Sequence, residues 1–195
     1  MGIGLSQLAV KGETLAEVAA AIGLRETGVD AEPFQAPVVG ACLPTGWCLF
    51  LMNRCDHKLI SDSMAQRLSV RFELVTLSLE EHVMFSAAIG WKEGRKIWSV
   101  THKGEKGARD LKTEGALPLD FEKIRGEFFR EQDAVDQSKE IVDCIFDIPA
   151  ALVSSMTGFR YDESESNVSQ YSFKELQPAG SGDSWFSKFV RSFRA

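Results

Sequence analysis

The fold is decided by residues 70–102, which read VRFELVTLSLEEHVMFSAAIGWKEGRKIWSVTH. Apolar side chains alternate with polar or small ones in the second half of this stretch, and such a period of two is typical of a strand with distinguishable faces. The pattern predicts three strands, at residues 70–79, 83–91 and 95–102, with a hairpin turn at residues 92–94. Because the connections are too short for a crossover, we expect an antiparallel meander.

Short helices and a hairpin are predicted before the meander. Thr14 and Glu17 have the spacing of a capping box, and Gly23 can end the helix that they begin. Two apolar runs, residues 38–43 and 47–53, flank a Pro-Thr-Gly turn and therefore read as a hairpin. A further short helix is expected after the Ser-Asp-Ser sequence that begins at residue 61.

The part of the chain after the meander returns to helical spacing. A helix is predicted at residues 119–135, with Asp120 as its cap and Phe121, Ile124 and Phe128 in one apolar stripe, and a short apolar strand is predicted at residues 141–146. Asp147 can cap a last helix, which Gly158 is expected to end. Arg109 to Thr113 could add an edge strand to the sheet.

The composition changes after residue 160. We interpret residues 1–160 as a single α+β domain, an antiparallel β-sheet meander packed with several short helices, and residues 161–183 as a polar flexible linker. Residues 184–195 are predicted to be a basic, amphipathic, helical C-terminal arm. Its predicted apolar face consists of Trp185, Phe186, Phe189, Val190 and Phe193, and its other face carries Lys188, Arg191 and Arg194.

The charge and apolar content of the chain exclude several classes of protein. The formal net charge of the 195 residues is −6, whereas phosphate binding needs clustered Lys and Arg, so nucleic acid is not an expected partner. The longest apolar run, residues 47–52, is far shorter than the roughly 20 residues of a transmembrane helix. We identify no secretory signal and expect a cytoplasmic protein whose four cysteines are thiols.

The negative charge is concentrated between residues 105 and 147, a segment that contains twelve acidic and seven basic residues. Two interpretations are open: a solvated helix surface, or a docking surface that steers a cationic partner. The candidate acidic binding residues are Asp133, Asp136, Glu140, Asp143 and Asp147.

The arm raises a related question, because it carries three positive charges while residues 1–183 carry −9. It could dock on its own domain, on another protein or on an anionic membrane. Trp185, Phe189 and Phe193 are its candidate binding residues. Trp91 and Trp98, which flank the hairpin turn, are expected in the core, with an interface role as the alternative.

Two groups of residues contain side chains that could bind a metal or catalyse a reaction. Cys42, Cys48, Cys55 and His57 are the only sequence cluster that could bind a metal, but no pair has the two-to-four residue spacing of a zinc knuckle, and we predict no metal or cofactor. His82 and His102 bracket the meander near Glu80 and Glu81 and could serve acid–base catalysis. The sequence contains no nucleophile elbow, phosphate loop or dinucleotide fingerprint.

Four short segments resemble an uncharacterised bacterial family, from which no function follows. They are Trp47, Trp91-Lys92-Glu93-Gly94-Arg95, Trp98-Ser99-Val100-Thr101-His102 and Phe146-Asp147-Ile148-Pro149. In size, charge and strand-rich layout, residues 1–160 resemble the small acidic immunity proteins of bacterial polymorphic toxin systems. Immunity proteins bind a cognate toxin and occlude its active site, so the resemblance implies a function of that kind.

We therefore predict a non-enzymatic inhibitor or adaptor that presents an acidic surface to a basic protein partner. One alternative is a small hydrolase or transferase that uses His82 and His102 with a carboxylate. The other is a peripheral membrane-associated adaptor that uses residues 184–195.

Overall fold

Nine antiparallel strands form one sheet within residues 2–12, 14–138, 141–162 and 171–180, the part of the chain that the computed structural model describes. The strands are β1 (Gly4–Lys11), β2 (Leu24–Asp30), β3 (Val39–Cys42), β4 (Trp47–Met52), β5 (Leu74–Glu80), β6 (Phe85–Lys92), β7 (Arg95–Lys103), β8 (Lys112–Gly115) and β9 (Lys174–Pro178). The helices are α1 (Leu15–Ala21), α2 (Asp62–Ser69), α3 (Phe121–Asp136) and α4 (Ile148–Thr157). The strand order β2-β9-β3-β4-β1-β5-β6-β7-β8 and the packed helices confirm the predicted α+β class.

The predicted meander is confirmed as β5, β6 and β7, which pair antiparallel in consecutive order. Glu93 and Gly94 join β6 to β7 with φ values of 52° and 72°. Two successive left-handed residues match the right-handed twist of a hairpin. The edge strand expected at residues 109–113 begins slightly later, as β8.

The predicted helices also form, and their caps explain most of their boundaries. The side chain of Thr14 accepts a hydrogen bond from the Glu17 amide at 3.2 Å, and Ser61 caps α2 in the same way. Asp120 and Asp147 stand at the start of α3 and α4 without a side-chain capping bond. Gly158, with a φ of 79°, ends α4 in the left-handed conformation.

The sequence did not predict β1, which lies in the middle of the sheet between β4 and β5. Its alternate side chains enter the two opposite cores, with Leu5 on one face and Leu8 on the other. The polar side chains of Ser6 and Gln7 are buried among them. A strand that is buried on both faces loses the apolar–polar alternation by which strands are recognised.

Two predicted segments take a different form in the structure. Residues 174–178, which fall within the predicted linker, form β9 and pair with β2 and β3. The strand predicted at residues 141–146 is wrong: residues 141–144 are irregular and residues 145–147 form a short 3₁₀ turn. Ile145 and Phe146 pack in a core beside α4. Their burial accounts for the apolar run, which therefore does not indicate a strand.

Two separate cores cover the faces of the sheet. We call the face under α3, α4 and Phe173 the closed face, because these elements pack over strands β1 and β3 to β7. We call the other face the open face; α1 packs on β2 and β3, and α2 packs on β5 to β7. Trp98 belongs to the closed-face core and Trp91 to the open-face core, so both tryptophans are buried, as predicted.

None of the helices in the described segments is long and apolar enough to cross a lipid bilayer.

Candidate functional site

The predicted acidic residues occupy distinct environments rather than one bare surface. Asp133 and Asp136 are exposed near the end of α3. Asp143 lies against a buried histidine, and Asp147 is half-buried where α4 begins. Burial raises the pKa of Asp147, and Arg160, 3.6 Å away, opposes this shift.

Arg109 joins the two exposed carboxylates. Its Nη2 atom lies 2.6 Å from Asp133 Oδ1 and 2.7 Å from Asp136 Oδ2. Hydrogen bonds to Asp133 and then Asp136 raise the pKa of Arg109, while Gln132 and then Arg109 lower the pKa of Asp136. This exposed cluster of two acids and one base therefore carries a net charge of −1 at neutral pH.

Asp143 connects the acidic region to the closed-face core. Its Oδ2 atom lies 3.0 Å from Nε2 of His102, which is completely buried, and its Oδ1 accepts a hydrogen bond from the Phe146 amide. Despite this short distance, Nε2 of His102 makes no hydrogen bond, because the orientation of the two groups is unsuitable. The other ring nitrogen of His102 lies 2.7 Å from the carbonyl oxygen of Asp110. His102 thus acts as a packed link between β7 and the segment that follows α3.

The buried side chain of Gln132 clamps that segment onto α3. Its Nε2 donates to Asp136 Oδ1 at 2.8 Å and to the Val142 carbonyl at 3.2 Å, and its Oε1 accepts from the Cys144 amide at 2.9 Å. Beside the clamp, Ile141 is fully exposed and Val142 is 49% exposed. We call Asp133, Asp136, Ile141 and Val142 the acidic–apolar surface; it combines exposed branched side chains with carboxylates on a backbone that Gln132 holds in place.

The two candidate catalytic histidines lie in different surroundings. His102 is buried beneath Phe146 on the closed face, with ring centroids 6.3 Å apart. His82 is exposed in the turn between β5 and β6, where its Nδ1 lies 2.7 Å from Glu80 Oε1. This contact lowers the pKa of Glu80. The structure therefore pairs His82 with a carboxylate but does not place His102 beside it.

A cleft that the sequence did not predict lies at the end of the sheet where β4 and β5 end and β1 and β6 begin. A hollow of about 660 Å³ is lined by Gly4, Asn53, Arg54, Cys55, Asp56, Glu80, His82, Val83 and Phe85. It adjoins a second hollow of about 280 Å³, which shares Asp56 and Phe85 with it and is also lined by His57, Ile60, Ser61, Asp62, Thr76, Ser78, Ala87 and Ile89. We call the two hollows together the sheet-end cleft.

One wall of the sheet-end cleft is polar and consists of Cys55, Asp56, His57 and Ser78, which are held by hydrogen bonds. Cys55 Sγ lies 3.0 Å from Ser78 Oγ, which also donates to Asp56 at 3.4 Å. Asp56 has a φ of 55°, an uncommon conformation for a residue other than glycine. The backbone amide of His57 donates to Ser6 Oγ at 3.2 Å and anchors the wall to β1.

The side chains of this wall are not activated for nucleophilic chemistry. Burial raises the pKa of the Cys55 thiol, which keeps it protonated near neutral pH, whereas a reactive cysteine needs a lowered pKa. Burial, with Lys58 and Arg54 nearby, lowers the pKa of His57 to about 4, so its ring is neutral. The ring Nδ1 of His57 accepts the amide hydrogen of Leu59 and so serves as a turn cap.

The cysteines differ from the prediction. Cys42 and Cys48 face each other on β3 and β4 and form a disulfide, so the expectation of four thiols is wrong. Their register in the hairpin brings the two sulfur atoms together, and the spacing of six residues did not reveal it. Cys55 and Cys144 are unpaired, and no group of three or more His, Cys, Asp or Glu among the described residues could hold a metal ion.

Some predicted site residues lie outside the described residues. They are Glu140, Trp185, Phe189 and Phe193. The predictions made for them stay predictions.

Sequence reasoning missed the sheet-end cleft because it is assembled from three separate segments. Polar residues 53–58 directly follow the buried strand β4, and polar residues 80–82 stand at the end of β5. These two polar segments could have indicated the cleft. They lie close together only because β1 joins β4 to β5, and β1 was not predicted. Comparison of the chain with protein-family models, with curated proteins and with solved structures finds no match.

Proposed function

We propose that this chain is a non-catalytic protein-binding protein, which docks a basic partner through the acidic–apolar surface. The observation that carries the proposal is the exposure of Ile141 and Val142 on a backbone clamped by Gln132. Exposed apolar side chains on a fixed backbone bind a partner at a low entropic cost, because the backbone does not have to become ordered when the partner binds.

The surrounding charges support a cationic partner. Asp133 and Asp136 keep a net charge of −1 with Arg109, and Glu131 is exposed two residues before Asp133 on α3. A polar, acidic rim around an apolar pair is the usual anatomy of a protein interface, and its charge steers association. An inhibitor that covers the active site of a cognate toxin, as the resemblance to immunity proteins implies, is one case of this function.

The hydrolase alternative has less support. Hydrolysis or group transfer of this kind needs a nucleophile with a neighbouring base. His82 and Glu80 form an exposed pair, but His102 is buried elsewhere, and Cys55 is a protonated thiol that is hydrogen-bonded to Ser78.

Co-purification at low salt from the native cell tests the proposed function. We expect a basic partner to be recovered with the wild-type chain, to be lost with Ile141→Ser/Val142→Ser, which removes the apolar side chains without changing the charge, and to dissociate as salt is raised. Leu119→Ser is the control, since Leu119 is as exposed as Ile141 but stands just before the opposite end of α3, about 24 Å away along the helix. Recovery of monomer alone, or equal loss of the partner with both variants, contradicts the proposal.

A further inference from the structure

The sheet-end cleft has an apolar floor that the described elements leave uncovered. Phe85, Ala87 and Ile89 follow one another along the open face of β6 and are each partly exposed, and Val83 just before them is 60% exposed. The helix α2 packs over the opposite end of β6, near Gly94. A continuous apolar strip of this kind is rarely left bare on a folded domain.

We propose that the C-terminal arm of this same chain, residues 184–195, docks in the sheet-end cleft. Its apolar residues Trp185, Phe189 and Phe193 lie on the strip along β6, and its basic residues face the acidic wall. Three observations support this occupant: the position where the described chain ends, the length of chain available, and the charges of the two surfaces.

The register of the sheet brings the end of β9 to the same edge as the cleft. Glu175 lies in one row across the strands with Leu77 of β5, by way of β3, β4 and β1. The strands β9 and β5 run in the same direction, and Pro178 and Glu80 each stand three residues beyond that row. The Ala179 amide then donates to the carbonyl of Gly23, which continues the pairing of β9 with β2 by one residue. The chain therefore leaves the sheet at the end where the cleft opens.

The length of the chain is sufficient for the arm to reach the cleft. Five residues lead from Gly180 to Trp185 and span at most about 17 Å. The strand β1, which lines the near side of the cleft through Gly4, is three strand spacings from β9, or about 14 Å. From Trp185 to Phe193 a helix rises about 12 Å, which matches the roughly 10 Å between β1 and β6.

The charges of the two surfaces are complementary. The cleft is lined by three acidic residues, Asp56, Asp62 and Glu80, and by one Arg, Arg54, so its Asp, Glu and Arg side chains carry a formal net charge of −2. The arm carries three positive charges in twelve residues. The opposite charges of the arm and the cleft favour docking. The short tether also raises the effective concentration of the arm near the cleft.

The thiol of Cys55, which lies in the cleft wall, provides a direct readout of docking. We would measure its rate of alkylation by iodoacetamide in the full-length chain, by mass spectrometry of the peptide, with Cys144 as the internal reference. Phe189→Asp/Phe193→Asp should accelerate alkylation of Cys55 at least about fivefold, the factor expected if the arm is docked in four-fifths of the molecules. Alkylation of Cys144 should be unchanged.

The control is Ser187→Asn/Ser192→Asn, which changes two polar residues of the arm without altering its charge or its apolar residues, and it should leave the Cys55 rate within about twofold of wild type. Equal Cys55 rates in the wild type and the Phe variant overturn the proposal. Protection of Cys55 that grows with protein concentration also overturns it, because the arm would then occupy a second copy. So would binding of the wild-type chain to phosphatidylglycerol vesicles by the arm with no protection of Cys55 in solution.

If Cys55 fails to react in every variant, quenching of tryptophan fluorescence by acrylamide decides. Trp47, Trp91 and Trp98 are buried, so the fluorescence accessible to acrylamide reports on Trp185. A docked arm keeps Trp185 protected in the wild type and exposes it in the Phe189→Asp/Phe193→Asp variant. An accessible Trp185 in the wild type would refute docking.

Discussion

The two faces of the sheet carry helices of different length. On the closed face, α3 has 16 residues and α4 has 10, or about 24 Å and 15 Å. On the open face, α1 has 7 and α2 has 8, or about 10 Å and 12 Å. The sheet itself is about 38 Å wide across nine strands. The short helices leave the end of β6 uncovered, and that difference creates the sheet-end cleft.

The closed face also differs in how it treats polar groups. There, Gln132 and His102 are buried and hold the segment after α3 in place. On the open face, Ser78 is buried, but Cys55 and His57 beside it in the cleft wall are only partly buried. Buried hydrogen-bonded groups fix one conformation, whereas a half-exposed wall leaves room for a ligand segment.

The two faces should differ most in the loss of stability that follows when a phenylalanine on each is replaced by alanine. Phe159 is 1% exposed and packs edge-on against Phe173 and Tyr171, so Phe159→Ala should lower the free energy of unfolding by about 3–5 kcal/mol. Phe85→Ala, on the floor of the cleft, should cost only about 1 kcal/mol because the side chain is already partly exposed. Urea unfolding measures both, and equal losses would mean that the open face is as well covered as the closed one.

A second prediction concerns the clamp behind the acidic–apolar surface. Gln132→Leu keeps most of the volume but strands the Cys144 amide and the Val142 carbonyl, so it should cost about 2 kcal/mol. Amide hydrogen exchange at residues 142–144 should accelerate in this variant. Gln137→Leu, an exposed site just past α3, is the control and should change neither quantity. Unchanged exchange in Gln132→Leu would show that the clamp does not hold the segment.

The smallest expected effect is a pH dependence from His57 in the cleft wall. Its pKa is about 4 in the folded chain against 6.5 for the ordinary side chain, so the unfolded chain binds the additional proton between these values. The free energy of unfolding should therefore fall as pH is lowered from 6.5 towards 4, by about 1 kcal/mol once partial exposure is discounted. Urea unfolding at a series of pH values tests this.

The replacement His57→Asn keeps an oxygen that can accept the Leu59 amide and removes the titration. Its stability should match that of the wild type near pH 7 and exceed it near pH 4.5. Parallel pH curves for the two proteins would contradict the lowered pKa.

Much of the fold could be predicted from local pattern. Alternation identified the meander, and capping residues such as Thr14 and Ser61 marked the helices, because both signals arise within a few residues of the chain. The strands β1 and β9 were not predicted. The first is buried on both faces, and the second is short and lies in a polar context, so neither shows a clear period.

The candidate sites were predictable only in part. The acidic stretch was evident in the sequence, but the pairing of Arg109 with Asp133 and Asp136 was not, because Arg109 lies 24 and 27 residues away from them. The exposure of Ile141 and Val142 was missed, since an apolar run reads as buried.

The sequence by itself determined the meander, the helical segments and the division of charge between residues 1–183, which carry −9, and an arm of +3, because periodicity and charge are properties of neighbouring residues. The tertiary structure decided the rest. It placed β1 at the centre, inserted β9 between β2 and β3, and brought Cys55, Ser78 and Glu80 to one cleft. These arrangements depend on which strands bury one another, and pairing between residues as distant as Leu24 and Pro178 leaves no local pattern in the chain.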